Sequence, residues 1–249
     1  MTVELFQFPY SHYNEKVRWT LAFKGIPHTR RSLLPGPHAL TVLRLTRQTQ
    51  TPVVRLDGQS VAGSARIIDE LERRFPARAL YPADPALRRR ALDLQAWADE
   101  HVGVMVRRAL FAVMLEHPAY VMAIFASDRP VLTRALYRAV FPITKIAMAT
   151  SAGVRGPASI DEAVGATQAA LDRVAREIGP GGYLAGDAMS VADVAVASLL
   201  TPAVRVEHPA MRPPAPVPAA VEAWYRRWDA HPAAAWVRET YRRHRPADA

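Results

Sequence analysis

The sequence contains no cysteine. This absence excludes disulfide bonds, thiolate metal ligands and every mechanism that needs a cysteine nucleophile, but it does not identify the compartment. Lysine is also scarce, because of the 32 basic residues only Lys16, Lys24 and Lys145 are not arginine. Abundant arginine and alanine are as typical of a GC-rich coding background as of a function, so this bias by itself indicates no activity.

Long apolar runs and targeting segments are missing as well. No stretch of about 18 uninterrupted apolar residues occurs, which argues against a membrane span. The N-terminus reads MTVELFQFPYSHYNEK and has no basic segment followed by an apolar one, so we expect no signal peptide. The 249 residues, half of them hydrophobic and 22% charged, suffice for one large or two small folded domains. These features predict a cytoplasmic protein without a membrane partner.

The net charge of +9 is concentrated in the N-terminal third of the chain. A basic surface attracts anions of every kind, including nucleic acids and small acidic molecules. However, no stretch interleaves clustered basic and aromatic residues as a nucleic-acid platform does. The sequence therefore predicts no nucleic-acid partner.

The first eighty residues alternate strand and helix patterns. Short apolar, β-prone segments flank an amphipathic helix that stops before Gly25, and an Asp57-Gly58 turn joins the last two segments. This order, βαβ followed by a β-hairpin and a helix, predicts an α/β unit. The predicted strands are 3–8, 28–34, 52–56 and 60–62, and the predicted helices are 13–24, 40–45 and 64–74.

Beyond a proline-containing connection over 77–85, no strand pattern is visible. We therefore predict two domains, an α/β domain over 1–80 and an all-helical domain over 86–249. Pro142 is expected to kink or split the helix that contains it. The predicted helices are 86–115, 119–126, 129–149, 159–178, 190–201, 217–230 and 233–244.

Three stretches together resemble the cytosolic glutathione S-transferase family. They read FPYSHYNEKVRWTLAFKGI (8–26), TPVV followed by LDG (51–58), and LAGDAMSVADVAVASLL (184–200). The resemblance covers nearly the whole chain and implies a thioredoxin-like N-terminal domain followed by an all-α C-terminal domain. It also implies a homodimer that uses glutathione as co-substrate and needs no metal.

The resemblance assigns catalysis to Ser11 and Asn14. Ser11 lies where a strand ends and a helix begins, and the unpaired N–H groups of a helix N-terminus favour an anion. Its hydroxyl can donate to the thiolate of bound glutathione and thus lower the pKa of the thiol. Asn14 stands where relatives tend to have cysteine, and its amide can still donate to sulfur. The alternatives are an ordinary N-cap for Ser11 and a tolerated polar residue in the first turn for Asn14.

The tyrosine of other transferase classes falls near Gln7, which cannot ionise. Tyr10 and Tyr13 are the neighbouring phenols, and ring packing is their alternative role.

The resemblance assigns glutathione binding to Thr51, Pro52, Gly63 and Ser64. A cis bond before Pro52 would turn the backbone of Thr51 outward to pair with the cysteinyl part of glutathione; an ordinary strand start is the alternative. Ser64, at a helix start, suits the γ-glutamyl carboxylate or serves as a plain N-cap. Gly63 departs from the family, which has an acidic or amide residue there to hold the γ-glutamyl ammonium.

The glycine carboxylate of glutathione needs a cation, and His38, Arg44 and Arg47 lie in the corresponding loop. The residue types alone do not choose among them, and His38 is our candidate.

The Ser190–Asp193 segment has the form of a capping box and is predicted to be structural. The histidines show no metal-ligand spacing, so no metal site is predicted. An apolar second substrate is expected against the helical domain, with specificity arising from 116–150. The candidates for its pocket, many of them expected to be core, are Trp97, Met105, Phe111, Met114, Tyr120 and Phe125.

The leading hypothesis is a glutathione transferase-like detoxification enzyme in which a glutathione thiolate attacks an apolar electrophile. The alternative is a non-catalytic ligand- or protein-binding protein on the same scaffold, which the departures at Gly63 and Asn14 favour. A third hypothesis is chemistry with a different thiol, or isomerisation.

Overall fold

A four-stranded mixed sheet forms the N-terminal part of the computed structural model, which describes residues 2–246. The strand order is β2-β1-β3-β4, with β1 parallel to β2 and the other two pairs antiparallel. The predicted α/β thioredoxin-like fold followed by an all-helical part is confirmed. The strands are β1 (Val3–Gln7), β2 (Thr29–Ser32), β3 (Val53–Leu56) and β4 (Gln59–Ala62).

Three helices cover the two faces of this sheet. Side chains alternate across β1, so Val3 and Leu5 face a core that also contains residues of α1 and α3. Phe6 points to the opposite face, where it clusters with Val42 of α2. The helices are α1 (His12–Phe23), α2 (His38–Thr46) and α3 (Ser64–Arg74).

The rest of the chain is helical in the part that the structure describes. The fully buried helix α9 lies at its centre, and the Ser190–Asp193 capping box that starts α9 is present as predicted. The Asp193 carboxylate accepts hydrogen bonds from the backbone N–H groups of Leu184 and Ser190, both at 2.9 Å. The helices are α4 (Pro85–Trp97), a π-helical turn (Ala98–Val102), α5 (Gly103–Met114), α6 (Pro118–Ala126), α7 (Val131–Ala152), α8 (Pro157–Glu177), α9 (Val191–Leu200), α10 (Ala219–Arg226) and α11 (Pro232–His244).

Pro142 does not split its helix, so that alternative of the prediction is wrong. It lies inside the continuous α7. A proline removes the hydrogen bond to the carbonyl four residues earlier. Both Pro142 and Arg138, which carries that carbonyl, are exposed, so water can satisfy the freed oxygen.

Helix α1 joins the sheet to the helical part through buried charges. Glu15, Lys16 and Arg18 are all at most 1% exposed. The Lys16 ammonium contacts the Asp99 carboxylate at 2.7 Å, and Glu15 accepts from Arg18 and from Arg245, each at 2.7 Å. Because buried charges must be paired, these contacts hold α1 in one position against the C-terminal part.

None of the helices within residues 2–246 is long and apolar enough to cross a bilayer.

Candidate active site

Ser11 occupies the corner between β1 and α1. Its backbone is extended (φ −86°, ψ 129°), as at an N-cap position, and the side chain is half-buried. Ser11 therefore occupies the N-cap position, but its hydroxyl accepts no capping hydrogen bond from the helix. The hydroxyl is therefore available to a ligand at the N-terminus of α1.

Asn14 lies one turn further along α1 and is fully buried. Its Nδ2 donates to Thr51 Oγ1 at 3.3 Å, while its Oδ1 has no hydrogen-bond partner among the described residues. A buried acceptor without a partner is costly. Asn14 thus links α1 to the Thr51 loop and also presents an unused polar atom, which is more than a tolerated polar residue does.

The Thr51–Pro52 bond is cis, as the resemblance implied. The Pro52 carbonyl accepts from the Gly63 N–H at 3.2 Å, which brings the Gly63–Ser64 pair beside this loop. The structure therefore brings Asn14, Thr51, Pro52 and Gly63 together at the edge of the sheet where β1 ends.

Helix α3 spans Ser64–Arg74, the range that the sequence predicts. Gly63 is the N-cap residue and Ser64 the first helical residue, so the plain N-cap role for Ser64 is wrong. Ser64 is 6% exposed. Gly63 has φ +91°, and a Cβ there would meet nothing within 4 Å. The backbone conformation, rather than lack of space, disfavours the family's acidic or amide side chain at this position.

Of the three basic candidates, His38 contacts the loop that leads to Ser11. It begins α2, and its ring is 4.7 Å from the ring of Phe8, three residues before Ser11. Burial lowers the pKa of His38, so the ring is neutral at pH 7 and can offer a hydrogen bond rather than an ion pair. Arg44 instead lines a groove beside the middle of β1 with Glu4, and Arg47 ends α2.

Neither neighbouring tyrosine nor Gln7 is suited to activate a thiolate. Tyr13 donates its hydroxyl to the Asp99 carbonyl at 2.5 Å, and burial, together with the Asp99 charge, raises the pKa of Tyr13 to about 12. Burial also raises the pKa of Tyr10. The amide oxygen of Gln7 accepts from Arg18 at 2.7 Å. Ser11 remains the hydroxyl best placed to meet a thiolate.

The π-helical turn between α4 and α5 accepts hydrogen bonds from the first turn of α1. The sequence did not predict this turn or its contacts. The Asp99 carbonyl accepts from Tyr13, and the Gly103 carbonyl accepts from His12 Nε2 at 2.9 Å. π turns recur at functional sites. A Cβ on Gly103 would lie 2.6 Å from the Tyr13 hydroxyl, so only glycine allows this approach. The sequence signal that could have predicted these contacts is the EKVRW segment (15–19), in which charged residues stand beside apolar ones.

His12 makes the stability of the fold depend on pH. Burial and the nearby Arg107 charge lower the pKa of His12 from 6.5 to about 3. Below pH 6.5 the unfolded chain binds a proton that the folded chain does not, so stability falls as the pH decreases towards 3, by at most about 1.4 kcal/mol per pH unit. In denaturant titrations between pH 7 and pH 4, His12→Gln, which keeps a side-chain donor, should lose less stability than the wild type.

The exposed His101 provides a matched control. His101→Gln should follow the wild-type curve. Parallel curves for the wild type and His12→Gln would contradict a neutral, buried His12.

Three of the six proposed pocket residues are core. Met114, Tyr120 and Phe125 are each at most 7% exposed and belong to one cluster. Trp97 and Met105 pack against the main helical core. Phe111 is half-buried and adjoins the same cluster as the half-buried Phe8 and Tyr10 of the β1–α1 loop. Phe8 and Tyr10, in the loop that leads to Ser11, therefore share one apolar cluster with Phe111.

Within the described residues, no group of three or more His, Asp or Glu side chains is arranged to hold a metal ion.

Two sequence profiles match the chain. Residues 5–79 match the profile described as "Glutathione S-transferase, N-terminal domain", and residues 157–227 match "Glutathione S-transferase, C-terminal domain". No curated protein matches the sequence.

Solved structures share the fold over nearly the whole chain. The β-etherase LigF from Sphingobium sp. strain SYK-6 is 21% identical, with a TM-score of 0.61, covering 96% of this chain and 99% of LigF. A glutathione S-transferase from Methylobacillus flagellatus with glutathione bound is 20% identical, with a TM-score of 0.61 and coverage of 97% and 95%. One from Methylobacterium radiotolerans in complex with glutathione sulfonate is 21% identical, with a TM-score of 0.58 and coverage of 100% and 97%.

Proposed function

Because the chain belongs to the glutathione S-transferase family, whose two domain profiles together match more than half of its residues, we propose that it binds glutathione and transfers it to an apolar electrophile. Ser11 donates its hydroxyl hydrogen to the glutathione sulfur and stabilises the thiolate. The thiol proton passes to solvent. The thiolate then forms a C–S bond to the electrophilic carbon, while the bond from that carbon to its leaving group breaks and the leaving group departs with the electron pair, as chloride does from chlorodinitrobenzene. No covalent enzyme intermediate forms.

The observation that carries this proposal is the uncommitted Ser11 hydroxyl at the N-terminus of α1. The helix dipole and the free N–H groups of the first turn favour a negative charge at that position. The buried Asn14, with an unpartnered Oδ1, lies in the same turn, and its Nδ2 is bonded to Thr51. A thiol bound beside the cis-proline loop meets these polar groups together, which supports a thiolate site.

The remaining contacts follow the shape of glutathione. The Thr51 backbone pairs with the cysteinyl residue, and the Ser64 hydroxyl and N–H bind the γ-glutamyl carboxylate. A neutral His38 donates a hydrogen bond to the glycine carboxylate. Phe8, Tyr10 and Phe111 face the electrophile. The protein acts as a cytoplasmic homodimer, in the compartment that keeps glutathione reduced.

Calorimetric titration of glutathione into the protein, at low and moderate salt, tests the proposal. We expect saturable binding in the millimolar range or tighter. Because Gly63 offers no carboxylate to the γ-glutamyl ammonium, a glutathione analogue without that amino group should bind within about threefold, or ~0.7 kcal/mol, of glutathione itself. No binding of either thiol at either salt concentration would contradict the proposal.

Gly63 also favours a second candidate, a non-catalytic binding protein on the same scaffold. Such a protein would use the corner to hold an anionic or apolar ligand without activating a thiol. Glutathione that binds with an unchanged thiol pKa, read from the ultraviolet absorbance of the thiolate, would identify this alternative.

A further inference from the structure

The outer face of α7 is the largest exposed apolar feature among residues 2–246. Nine large hydrophobic residues are exposed in this part of the chain, and six of them lie on α7 with 45–75% of their surface accessible. None of the 22 residues of α7 is acidic. The six are Val131, Leu132, Leu136, Val140, Ile143 and Ile146.

The opposite face of α7 is already occupied. Tyr137, Phe141 and Met148 are buried in the cluster that α7 shares with α5 and α6. Helix α7 also contacts the N-terminal part. The Thr144 side chain packs against Gly36, where an added Cβ would lie 3.0 Å from Thr144 Oγ1. The exposed apolar face therefore points away from the rest of the chain.

Four of these six residues, together with Ala139 and Thr150, have the spacing of a helix–helix seam. Intervals of four, three, four, three and four residues separate its members, which is the pattern of two helices packed side by side. A small residue lies near the middle of the seam and allows close approach of a second helix. The seam consists of Leu132, Leu136, Ala139, Ile143, Ile146 and Thr150, all of them exposed.

We propose that the α7 seam is the interface with a second copy of this chain. The proposal rests on the homodimer proposed above and assigns its contact surface. The four large apolar side chains of the seam, together with the adjoining Val131 and Val140, present on the order of 600 Å² of accessible surface. This is the upper end for monomers, roughly 300–600 Å², and close to the ~800 Å² per partner that stable complexes bury.

A second copy fits the seam better than a lipid surface does. Helices that lie on membranes carry Trp, Phe or Leu on the apolar face and a polar face rich in Lys and Arg. The seam consists of aliphatic residues and Thr150 and has no aromatic member. At 100° per residue, Arg134, Arg138 and Lys145 fall along only one edge of α7, outside the seam. A symmetric pair of helices buries the seam without burying any of these charges.

Sedimentation and light scattering of the full-length protein at tens of micromolar test the surface. The wild type should be a dimer, and Ile143→Glu should be a monomer with unchanged circular dichroism, because Ile143 is 75% exposed and contributes little to the core. Leu40→Glu provides the control, since Leu40 is an exposed apolar residue on α2 and its substitution should leave the dimer intact.

The absence of cysteine provides a second readout. Ala139 is near the middle of α7, so the two copies bring their Ala139 residues close together whichever way the helices run. Ala139→Cys should therefore cross-link with a short bismaleimide, and the exposed Ala230→Cys should not.

The outcomes distinguish the interface from the dimer. A monomeric wild type overturns both. A dimer that survives Ile143→Glu, with no cross-link at position 139, overturns only the α7 surface and leaves the homodimer standing. Binding of a monomeric wild type to phosphatidylserine vesicles, lost in Ile143→Glu, would assign the face to a membrane instead.

Discussion

Replacing Ser11 by alanine should lower kcat/KM for glutathione conjugation by on the order of 100-fold, the usual cost of losing one donor to a developing or bound anion. The variant should also raise the pKa of the bound thiol, since the thiolate loses its hydroxyl donor. Because the Ser11 side chain makes no capping hydrogen bond, the free energy of unfolding should change by less than about 0.5 kcal/mol. Chlorodinitrobenzene turnover across pH and denaturant unfolding provide the two measurements.

Ser127→Ala removes an exposed serine between α6 and α7 and serves as the matched control. It should leave both quantities unchanged. Unaltered turnover in Ser11→Ala would remove Ser11 from the mechanism and direct attention to Asn14. A loss of stability of about 1 kcal/mol would instead restore the capping role.

Glu15→Gln should destabilise the protein by about 3–5 kcal/mol, the range for removing one partner of a buried ion pair. Glu15 is fully buried between Arg18 and Arg245, and the amide would leave both guanidinium groups without a counter-charge. Arg18 also donates to the Phe8 carbonyl at 3.3 Å, so the loop that leads to Ser11 should lose part of its support. Denaturant unfolding at pH 7 measures the first effect and KM for glutathione the second.

The destabilisation should depend on pH. Burial alone would raise the pKa of Glu15, but Arg18 and Arg245 outweigh it and hold the pKa below the ordinary 4.5. The carboxylate therefore stabilises the fold above pH 4.5 and loses this effect as the pH falls through the lowered pKa. The gap between wild type and Glu15→Gln should shrink below that pH.

Glu239→Gln is the matched control, because Glu239 forms a solvent-exposed ion pair with Arg242 on α11. Its stability should stay close to that of the wild type. A Glu15→Gln variant that is as stable as Glu239→Gln would show that the buried cluster does not hold α1 in position.

The boundaries of most elements follow from local signals. Three such signals are the spacing of apolar residues in α1 and α3, the Asp57-Gly58 turn and the Ser190–Asp193 capping box. Each depends on residues within a few positions of one another, so the sequence alone predicts these elements. The split at Pro142, one of the two predicted outcomes, does not occur because a proline inside a helix is tolerated where the freed carbonyl reaches water, and exposure is a tertiary property. The N-cap position of α3 belongs to Gly63 rather than Ser64, and composition does not reveal this because it does not show that Gly63 adopts a positive φ.

The sequence by itself determined the order of strands and helices, the position of Ser11 at the start of α1 and the absence of cysteine chemistry, since these depend on residues close together in the chain. The tertiary structure decided which polar groups are committed. Glu15 meets Arg245 across 230 positions, Asn14 meets Thr51 across 37, and burial leaves His38 neutral. It also decided that the apolar seam of α7 points outward, because helical periodicity identifies the faces of a helix but packing alone determines which face is covered.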